Sequence, residues 1–173
     1  MHWANVEINL RTMDAMSLQS DDPVLEVGPG PGDLMDGILP MVPRGSVTGV
    51  DFSPEMIDVC AKRFAPLVES ARVELFCANA DALPCATDHF TKACTVNTIY
   101  FWPEPAAVVG EFWRVLRTGG RLVVSVVDHI LGYRSPEDLM NRVRHIGEQI
   151  YVDAEERQRM AERLIAEDQL FGT

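Results

Sequence analysis

One carboxylate lies inside an otherwise apolar run and is followed directly by a turn with alternating glycines. Glu26 is the third residue of Val24–Val27, where a buried charge is costly unless it has a partner. Three glycines follow at every second position, Gly28, Gly30 and Gly32, and they let the backbone pass close to a ligand. A cationic ligand group would suit Glu26, although this carboxylate could instead cap a neighbouring loop.

The spacing of these glycines argues against a dinucleotide site. In the dinucleotide-binding pattern the third small residue comes three positions after the second glycine, and Asp33 occupies that position here. Gly32 is one residue early, and Glu26 suits an amino group better than a pyrophosphate. The amides and dipole of the following helix are favourable for several nucleotides. An NAD-linked oxidoreductase is therefore disfavoured, and other nucleotide-derived cofactors stay open.

The segment 24–32 resembles the first motif of class I S-adenosylmethionine (SAM)-dependent methyltransferases, and it is most similar to their UbiE-like small-molecule group. The resemblance extends over roughly residues 20–128 and includes five motifs in order. It implies SAM as cofactor, S-adenosylhomocysteine (SAH) as product, and a small molecule as methyl acceptor. The cofactor-binding residues that it implies in the first motif are Glu26, Gly28, Pro29, Gly30 and Gly32.

A second carboxylate, Asp51, directly follows the predicted strand 46–50. The resemblance implies that Asp51 accepts hydrogen bonds from both ribose hydroxyls of the cofactor. Asp51 is not needed as a helix cap, because Ser53 before Pro54 already has the pattern of an N-cap. Phe52 and Met56 are expected to lie against the adenine.

Two further polar segments follow the third and fourth predicted strands. The segment 79–84 is similar to the adenine-binding loop of the family, which implies that Asp81 accepts from the adenine amino group. The backbone amide of Ala82 is then implied to donate to the adenine ring. Asn97 follows the fourth strand, where the methionine moiety and the methyl group would lie.

Methyl transfer depends mainly on aligning the acceptor and excluding water, and a base is needed only for a hydroxyl or an acidic carbon. His129, just past the fifth predicted strand, is the candidate base, because histidine titrates near neutral pH. The alternative for His129 is a surface histidine in a loop. Tyr100 is the second catalytic candidate, and the aromatic run 100–102 either lines an acceptor pocket or packs the next helix on the sheet.

Short apolar runs alternate with helical stretches along residues 3–127. The predicted strands are 24–27, 46–50, 73–77, 93–96 and 122–127, and the predicted helices are 3–17, 33–41, 53–68 and 105–116. The alternation predicts an α/β fold with a mainly parallel, doubly wound, Rossmann-like sheet, for which the resemblance implies the order 3-2-1-4-5. Ligands of such sheets bind at the carboxyl ends of the strands. Gly119 and Gly120 are expected to end the last helix.

The C-terminal part departs from the family pattern. Residues 135–150 and 153–169 are predicted as two helices, so the usual antiparallel strand pair after the fifth strand is missing. Strand five would then be an edge with unpaired backbone groups, and we expect the last helices, a second copy or a partner chain to cover it. Residues 1–173 are taken as one domain, with a core at 20–128 and a helical segment at 129–173. A non-catalytic or partner-dependent SAM-binding subunit stays open as an alternative.

The composition limits the classes of partner. The net charge is −11 and the pI is about 4.7, so the surface repels nucleic-acid phosphates and anionic lipids. The sequence shows neither a signal segment nor an apolar run of membrane-spanning length. The four cysteines lack metal-site spacing and predict reduced thiols in a cytoplasmic protein with no metal. A thiol cluster of Cys60 and Cys85 is the alternative.

Overall fold

The structure is a computed structural model that describes residues 2–126, with side chains from residue 6 onward. Its five strands are β1 (Pro23–Val27), β2 (Ser46–Asp51), β3 (Val73–Cys77), β4 (Phe90–Val96) and β5 (Leu116–Ser125). They form one parallel sheet in the order β3-β2-β1-β4-β5. The predicted α/β class and strand order are therefore confirmed. The predicted helices 135–150 and 153–169 and His129 lie outside the described residues.

The helices are α1 (His2–Met16), α2 (Asp33–Ile38), α3 (Pro54–Arg63), α4 (Ala65–Glu69) and α5 (Pro105–Val115). Successive residues of β1 face opposite sides of the sheet. Val24 belongs to a core cluster with Met35 and Phe64, whereas Leu25 belongs to a second cluster with Phe90 and Phe112. Helices on both faces thus bury a sheet that is apolar on both sides. No helix in the range 2–126 is both long and apolar enough to cross a membrane.

Two predicted helices differ from the structure: one is divided in two, and the other is shorter than predicted. The predicted helix 53–68 is divided at Phe64 into α3 and α4, since Pro66 lacks an amide hydrogen and its ring would collide with the preceding turn. The predicted helix 33–41 ends at Ile38, because Pro40 has no amide hydrogen with which to continue the helical hydrogen bonds. The predicted cap is confirmed, since the amide of Met56 donates to Ser53 Oγ at 3.4 Å.

The prediction that Gly119 and Gly120 end the last helix is wrong. Helix α5 stops at Val115, and β5 begins at the next residue, which pairs with Phe90. The register of β4 and β5 then shifts, so that Lys92 pairs with Arg121. The glycines lie in this irregular stretch of β5, where Gly119 has a φ of 76°. The strand resumes regular pairing just before its apolar half.

Helix α1 packs against β4 and β5. The buried Thr12 hydroxyl shares a hydrogen bond of 2.7 Å with Ser125 Oγ at the end of β5. The Arg121 side chain donates to the carbonyl of Ala15 at 2.7 Å, near the end of α1. The residues before β1 are thereby fixed to the part of the sheet that carries β5.

Candidate active site

The carboxyl ends of β1, β2 and β4 border a cleft of about 300 Å³, at the edge where ligands bind in sheets of this kind. Four of the predicted site residues line it: Gly28, Asp51, Phe52 and Asp81. Phe101, Trp102 and Pro103 of the aromatic segment line it as well. The remaining predicted residues lie around this cleft or outside the described part of the chain. Its walls are otherwise formed by small, aliphatic and uncharged polar side chains: Val27, Val50, Ala78, Asn79, Ala80, Thr98 and Val108.

The glycine turn after β1 has the left-handed backbone that its sequence predicts. The φ angles are 75° at Gly28, 53° at Gly30 and 86° at Gly32, a region that residues with a Cβ rarely adopt. A Cβ on Gly28 would collide with the Thr98 methyl group, and one on Gly32 would lie 2.6 Å from Phe64 Cε2. A Cβ on Gly30 would meet nothing within 4 Å. Packing therefore leaves no room for a Cβ at the first and third glycines, whereas the space beside the middle one is open.

Asp51 connects this turn to the start of α3. Its Oδ2 accepts from the amide of Gly30 at 3.2 Å, and its Oδ1 accepts from the amide of Ser53 at 2.9 Å. The carboxylate is buried, and each oxygen has a further lone pair. Asp51 can thus hold the turn and still accept hydrogen bonds from hydroxyl groups in the cleft.

Glu26 is a buried carboxyl group without a complete set of partners. It is 2% exposed, and its Oε2 has no hydrogen-bond partner among the residues described. Loss of solvent raises its pKa to about 8, the nearby Asp33 and Asp51 add to the rise, and a backbone hydrogen bond of Met35 opposes it. A cationic group beside Oε2 would stabilise the ionised form. An ammonium group of a ligand is the chemistry that this position fits.

The loop after β3 is held from α5. The amide of Leu83 donates to Glu111 Oε2 at 2.7 Å, and the Arg114 guanidinium donates to the carbonyl of Leu83 at 2.8 Å. The amide of Ala82, the predicted adenine donor, donates at 3.2 Å to the carbonyl of Asn79. Asp81 lines the cleft beside it. The sequence analysis missed Glu111 and Arg114, whose spacing of three residues on one helix was the available signal.

Two threonines that the sequence analysis also missed connect β4 to the glycine turn. The buried Thr95 hydroxyl donates to the carbonyl of Val27 at 2.7 Å, and it also forms a hydrogen bond with the hydroxyl of Thr98. Asn97 lies between them with a φ of 56°, and its amide donates to the carbonyl of Ser125 at 2.8 Å. The end of β4 therefore fixes both the exit of β1 and the start of the next segment.

The aromatic segment borders the cleft and also packs on α5. Phe101, in the single 3₁₀ turn Ile99–Phe101, is 67% exposed and lines the cleft. Trp102 also borders the cleft but is mostly buried, with its ring centroid 6.1 Å from that of Phe112 in α5. The Tyr100 ring contacts Phe101 with centroids 5.1 Å apart, and burial raises its pKa. Tyr100 is therefore a neutral phenol at neutral pH.

A family of methyltransferase domains matches residues 24–120 of the chain. The chain belongs to this methyltransferase domain family. The fold class, the parallel strand order and the resemblance found in the sequence agree with this assignment. SAM is the cofactor of this SAM-dependent class, with SAH as its product.

Two curated relatives are small-molecule methyltransferases. The chloroplastic 2-methyl-6-phytyl-1,4-hydroquinone methyltransferase of Arabidopsis thaliana is 36% identical over 98 residues, which are 57% of this chain and 28% of that protein. The ubiquinone/menaquinone biosynthesis C-methyltransferase UbiE of Geotalea daltonii is 30% identical over 102 residues, 58% of this chain and 43% of that protein. The chain thus spans less than two thirds of the length of the curated relatives it matches.

A solved structure shares the fold of this methyltransferase domain. It is the geranyl diphosphate C-methyltransferase of Streptomyces coelicolor A3(2), in complex with Mg²⁺, geranyl diphosphate and SAH. It is 21% identical, with a TM-score of 0.67, and the match covers 93% of this chain and 60% of that one.

Some predicted site residues of the methyltransferase domain do not line the cleft. Gly30, Gly32 and Pro29 form the turn behind Gly28, and Met56 is half-buried in the first turn of α3. Cys60 and Cys85 belong to different core clusters, so the alternative of a joint thiol site is wrong. Between residues 2 and 126, no three histidine, cysteine, aspartate or glutamate side chains are arranged to hold a metal ion.

Proposed function

We propose that this methyltransferase domain transfers the methyl group of SAM to a small-molecule acceptor bound at the cleft. The observation that carries the proposal is the buried Glu26 with an unpartnered Oε2, directly before a left-handed glycine turn. The cofactor supplies a methyl group on a sulfonium, which is electrophilic without further activation. The chain's residues therefore mainly bind, orient and exclude water.

The proposed binding roles are those that the resemblance to class I SAM-dependent methyltransferases implies, and Gly28, Asp51, Phe52 and Asp81 support them because they line the cleft. Glu26 is assigned to the amino group of the cofactor, Asp51 to the ribose hydroxyls, and Asp81 with the amide of Ala82 to the adenine. The amide of Ala82 would give up its hydrogen bond to the carbonyl of Asn79 when the adenine binds. Phe52 and Met56 are assigned to the adenine faces, and Asn97 to the methionine moiety. In the turn, Gly28, Pro29, Gly30 and Gly32 bring the backbone close to the cofactor.

The acceptor is assigned to the side of the cleft that carries the aromatic segment. Phe101 and Trp102 are apolar groups on its wall, and such walls bind the bodies of small organic molecules. His129 is the proposed base where the acceptor is a hydroxyl or an acidic carbon. Tyr100 is the second proposed catalytic residue, acting as a neutral hydrogen-bond donor.

We also propose that residues 1–173 form one domain in the cytoplasm, where the four free cysteines stay reduced.

Strand β5 has β4 as its one partner within residues 2–126. An oligomer, a partner chain or the C-terminal segment is proposed to cover its other edge. Light scattering after gel filtration distinguishes a monomer, whose edge the C-terminal segment would cover, from an oligomer or a complex with a partner chain.

Calorimetry with SAM, SAH and NADH tests the cofactor assignment. We expect micromolar Kd values for SAM and SAH and no heat with NADH. Substitution Asp51→Ala is expected to weaken SAH binding by about 1.5–3 kcal/mol, the range for hydrogen bonds that involve a charged group. The control is Asp58→Ala, an exposed carboxylate of α3, which should leave the Kd unchanged. Equal Kd values for both variants would contradict the ribose assignment.

A transfer assay with labelled SAM and a metabolite extract tests the activity itself. A labelled product of low molecular mass is expected from the wild-type chain. Binding of SAH without any labelled product would instead favour the non-catalytic or partner-dependent subunit.

A further inference from the structure

Side chains at the end of α3 hold the glycine turn from the side away from the cleft. Cys60 Sγ donates to the carbonyl of Gly30 at 3.2 Å, and Arg63 Nη1 donates to the carbonyl of Pro31 at 2.9 Å. Phe64, the next residue, packs against Gly32. Three consecutive turn residues are therefore each in contact with one α3 or α3-end side chain. None of these three side chains lines the cleft.

Arg63 also ties the turn to α2. Its Nη1 lies 2.7 Å from Asp33 Oδ1, and its Nη2 lies 2.9 Å from Asp36 Oδ2. One planar guanidinium therefore donates to a carbonyl and to two carboxylates at once. The compact ammonium group of a lysine lacks the rigid, spread donors for this arrangement. The guanidinium also lies over the Phe64 ring, 5.6 Å from its centroid. Arg63 thus fixes Pro31 and the start of α2 with a single side chain.

The turn is held at Gly30 from two directions. Asp51 accepts from the amide of Gly30, whereas Cys60 donates to its carbonyl. A turn with three left-handed glycines has an unusually large backbone freedom when it is not held. Ordering such a segment during binding weakens affinity, and holding it beforehand removes that cost.

We propose that Arg63 is a positioning residue that sets the affinity for SAM by holding the glycine turn and the start of α2 in the binding conformation. This role rests on the cofactor assignment of the proposed function, and it does not depend on which acceptor is methylated. Arg63 acts on the turn from outside the cleft. Its loss should therefore change the binding of the cofactor and leave the chemical step at saturating SAM unaffected.

Arg63 should also influence the pH dependence of cofactor binding. Its ion-pair partner Asp33 is one of the charges that raise the pKa of Glu26, and Arg63 offsets part of that charge. Without Arg63, the carboxyl of Glu26 should keep its proton to a higher pH, so SAH binding should reach its full strength at a higher pH. The titratable groups that act on Glu26 or feel its charge are Asp33, Asp51, Cys60 and Cys94.

The test compares three variants by calorimetry with SAH: Arg63→Met, Arg63→Lys and the control Lys62→Met. Lys62 is the neighbouring exposed cation of the same helix, and its side chain has no ion pair or hydrogen bond with a residue that the structure describes. Arg63→Met should raise the Kd about tenfold, the loss expected for one charge-assisted hydrogen bond. Arg63→Lys should give a smaller rise, and Lys62→Met should stay within about twofold of the wild type.

The remaining readouts separate positioning from a loss of folding. Thermal melts by circular dichroism show which variants are folded at the temperature of the titration. If Arg63→Met is unfolded there, the comparison is made with Arg63→Lys instead. In turnover assays, KM for SAM should rise and kcat should stay the same. A folded Arg63 variant with a wild-type Kd and an unshifted pH profile would overturn the role of Arg63. A wild-type chain that binds no SAH would instead contradict the proposed function.

Discussion

The cleft has two walls of different construction. At the ends of β1 and β2, the wall at Gly28 and Asp51 is backed by the glycine turn, in which Gly30 is held between Asp51 and Cys60. After β4 the wall consists of aromatic side chains, and Phe101 is 67% exposed there. A fixed backbone suits a ligand that is the same for every member of a family. The side chains of the second wall can be substituted without altering the fold, which suits a ligand that varies. With the cofactor on the first wall and the acceptor on the second, as proposed, the comparison predicts that substitutions on the two walls alter different binding constants.

The largest effect should come from Glu26 on the first wall. The pKa of Glu26 is about 8 in the folded protein and lies above its ordinary value of 4.5, so between these two pH values the folded protein keeps a proton that the unfolded chain has released. This contribution to stability is complete below pH 4.5 and is lost as the pH rises through about 8. The slope is about 1.4 kcal/mol per pH unit, which amounts to about 4 kcal/mol between pH 5 and 8.

Denaturant unfolding of the wild type and of Glu26→Gln across this pH range measures that contribution. The variant lacks the titrating group, so its stability should fall less steeply with pH than that of the wild type. Saturating SAH should flatten the wild-type curve, because an ammonium partner favours the ionised carboxylate. Parallel curves for the two proteins would show that Glu26 titrates normally.

A smaller effect is expected from filling the space at Gly28. Alanine there combines a left-handed backbone with a collision against Thr98, and we expect a loss of about 3 kcal/mol in unfolding free energy. The matched control is Gly30→Ala, which has a similar φ but open space around its Cβ. It should lose only about 1 kcal/mol of stability.

The two glycine variants should differ in how their loss of SAH affinity compares with their loss of stability. If the cofactor occupies the open space at Gly30, as the proposed role of the turn requires, Gly30→Ala should lose more affinity than its small loss of stability accounts for. Thermal melts and calorimetry on the same samples measure both quantities. If affinity follows stability in both variants, the open space at Gly30 has no role in binding.

The smallest effect on the fold should come from Phe101 on the second wall. Phe101→Ala should shift the Tm by no more than about 1 °C, since an exposed side chain contributes little to stability. It should raise KM for the acceptor about fivefold, as expected from the loss of about 1 kcal/mol of apolar contact. The Kd for SAH should not change.

Phe52→Ala is the control for that comparison, because Phe52 is 65% exposed and lines the cleft from the end of β2. It should raise the Kd for SAH and leave KM for the acceptor nearly unchanged. Should both variants alter the same constant, the division of the cleft into two walls is wrong.

The sequence predicted those features of the site that depend on neighbouring residues. The glycine turn, the position of Asp51 and the cap at Ser53 are local patterns, and alternating strands and helices imply a parallel sheet with such residues at one edge. The ends of α2 and α3 could also have been predicted from the sequence, because Pro40 and Pro66 lie close to them.

Contacts between distant elements were not predictable in this way. Arg63 reaches Pro31 over 32 residues, and Thr95 reaches Val27 over 68. No local sequence pattern distinguishes this arginine or this threonine, because their contacts form only when distant segments come together in the fold. The direct passage from α5 into β5 depends likewise on the pairing of Leu116 with Phe90, which no local pattern contains.

The irregular stretch of β5 has a practical consequence. Residues 117–119 are exposed, and a Cβ on Gly119 would meet nothing within 4 Å. The regular pairing that positions the far end of β5 starts afresh at Arg121. Chain length can therefore change at residues 117–119 without displacing the carboxyl end of β5. A fluorophore or a short peptide tag inserted there would report on this protein from the end of the sheet opposite its ligands.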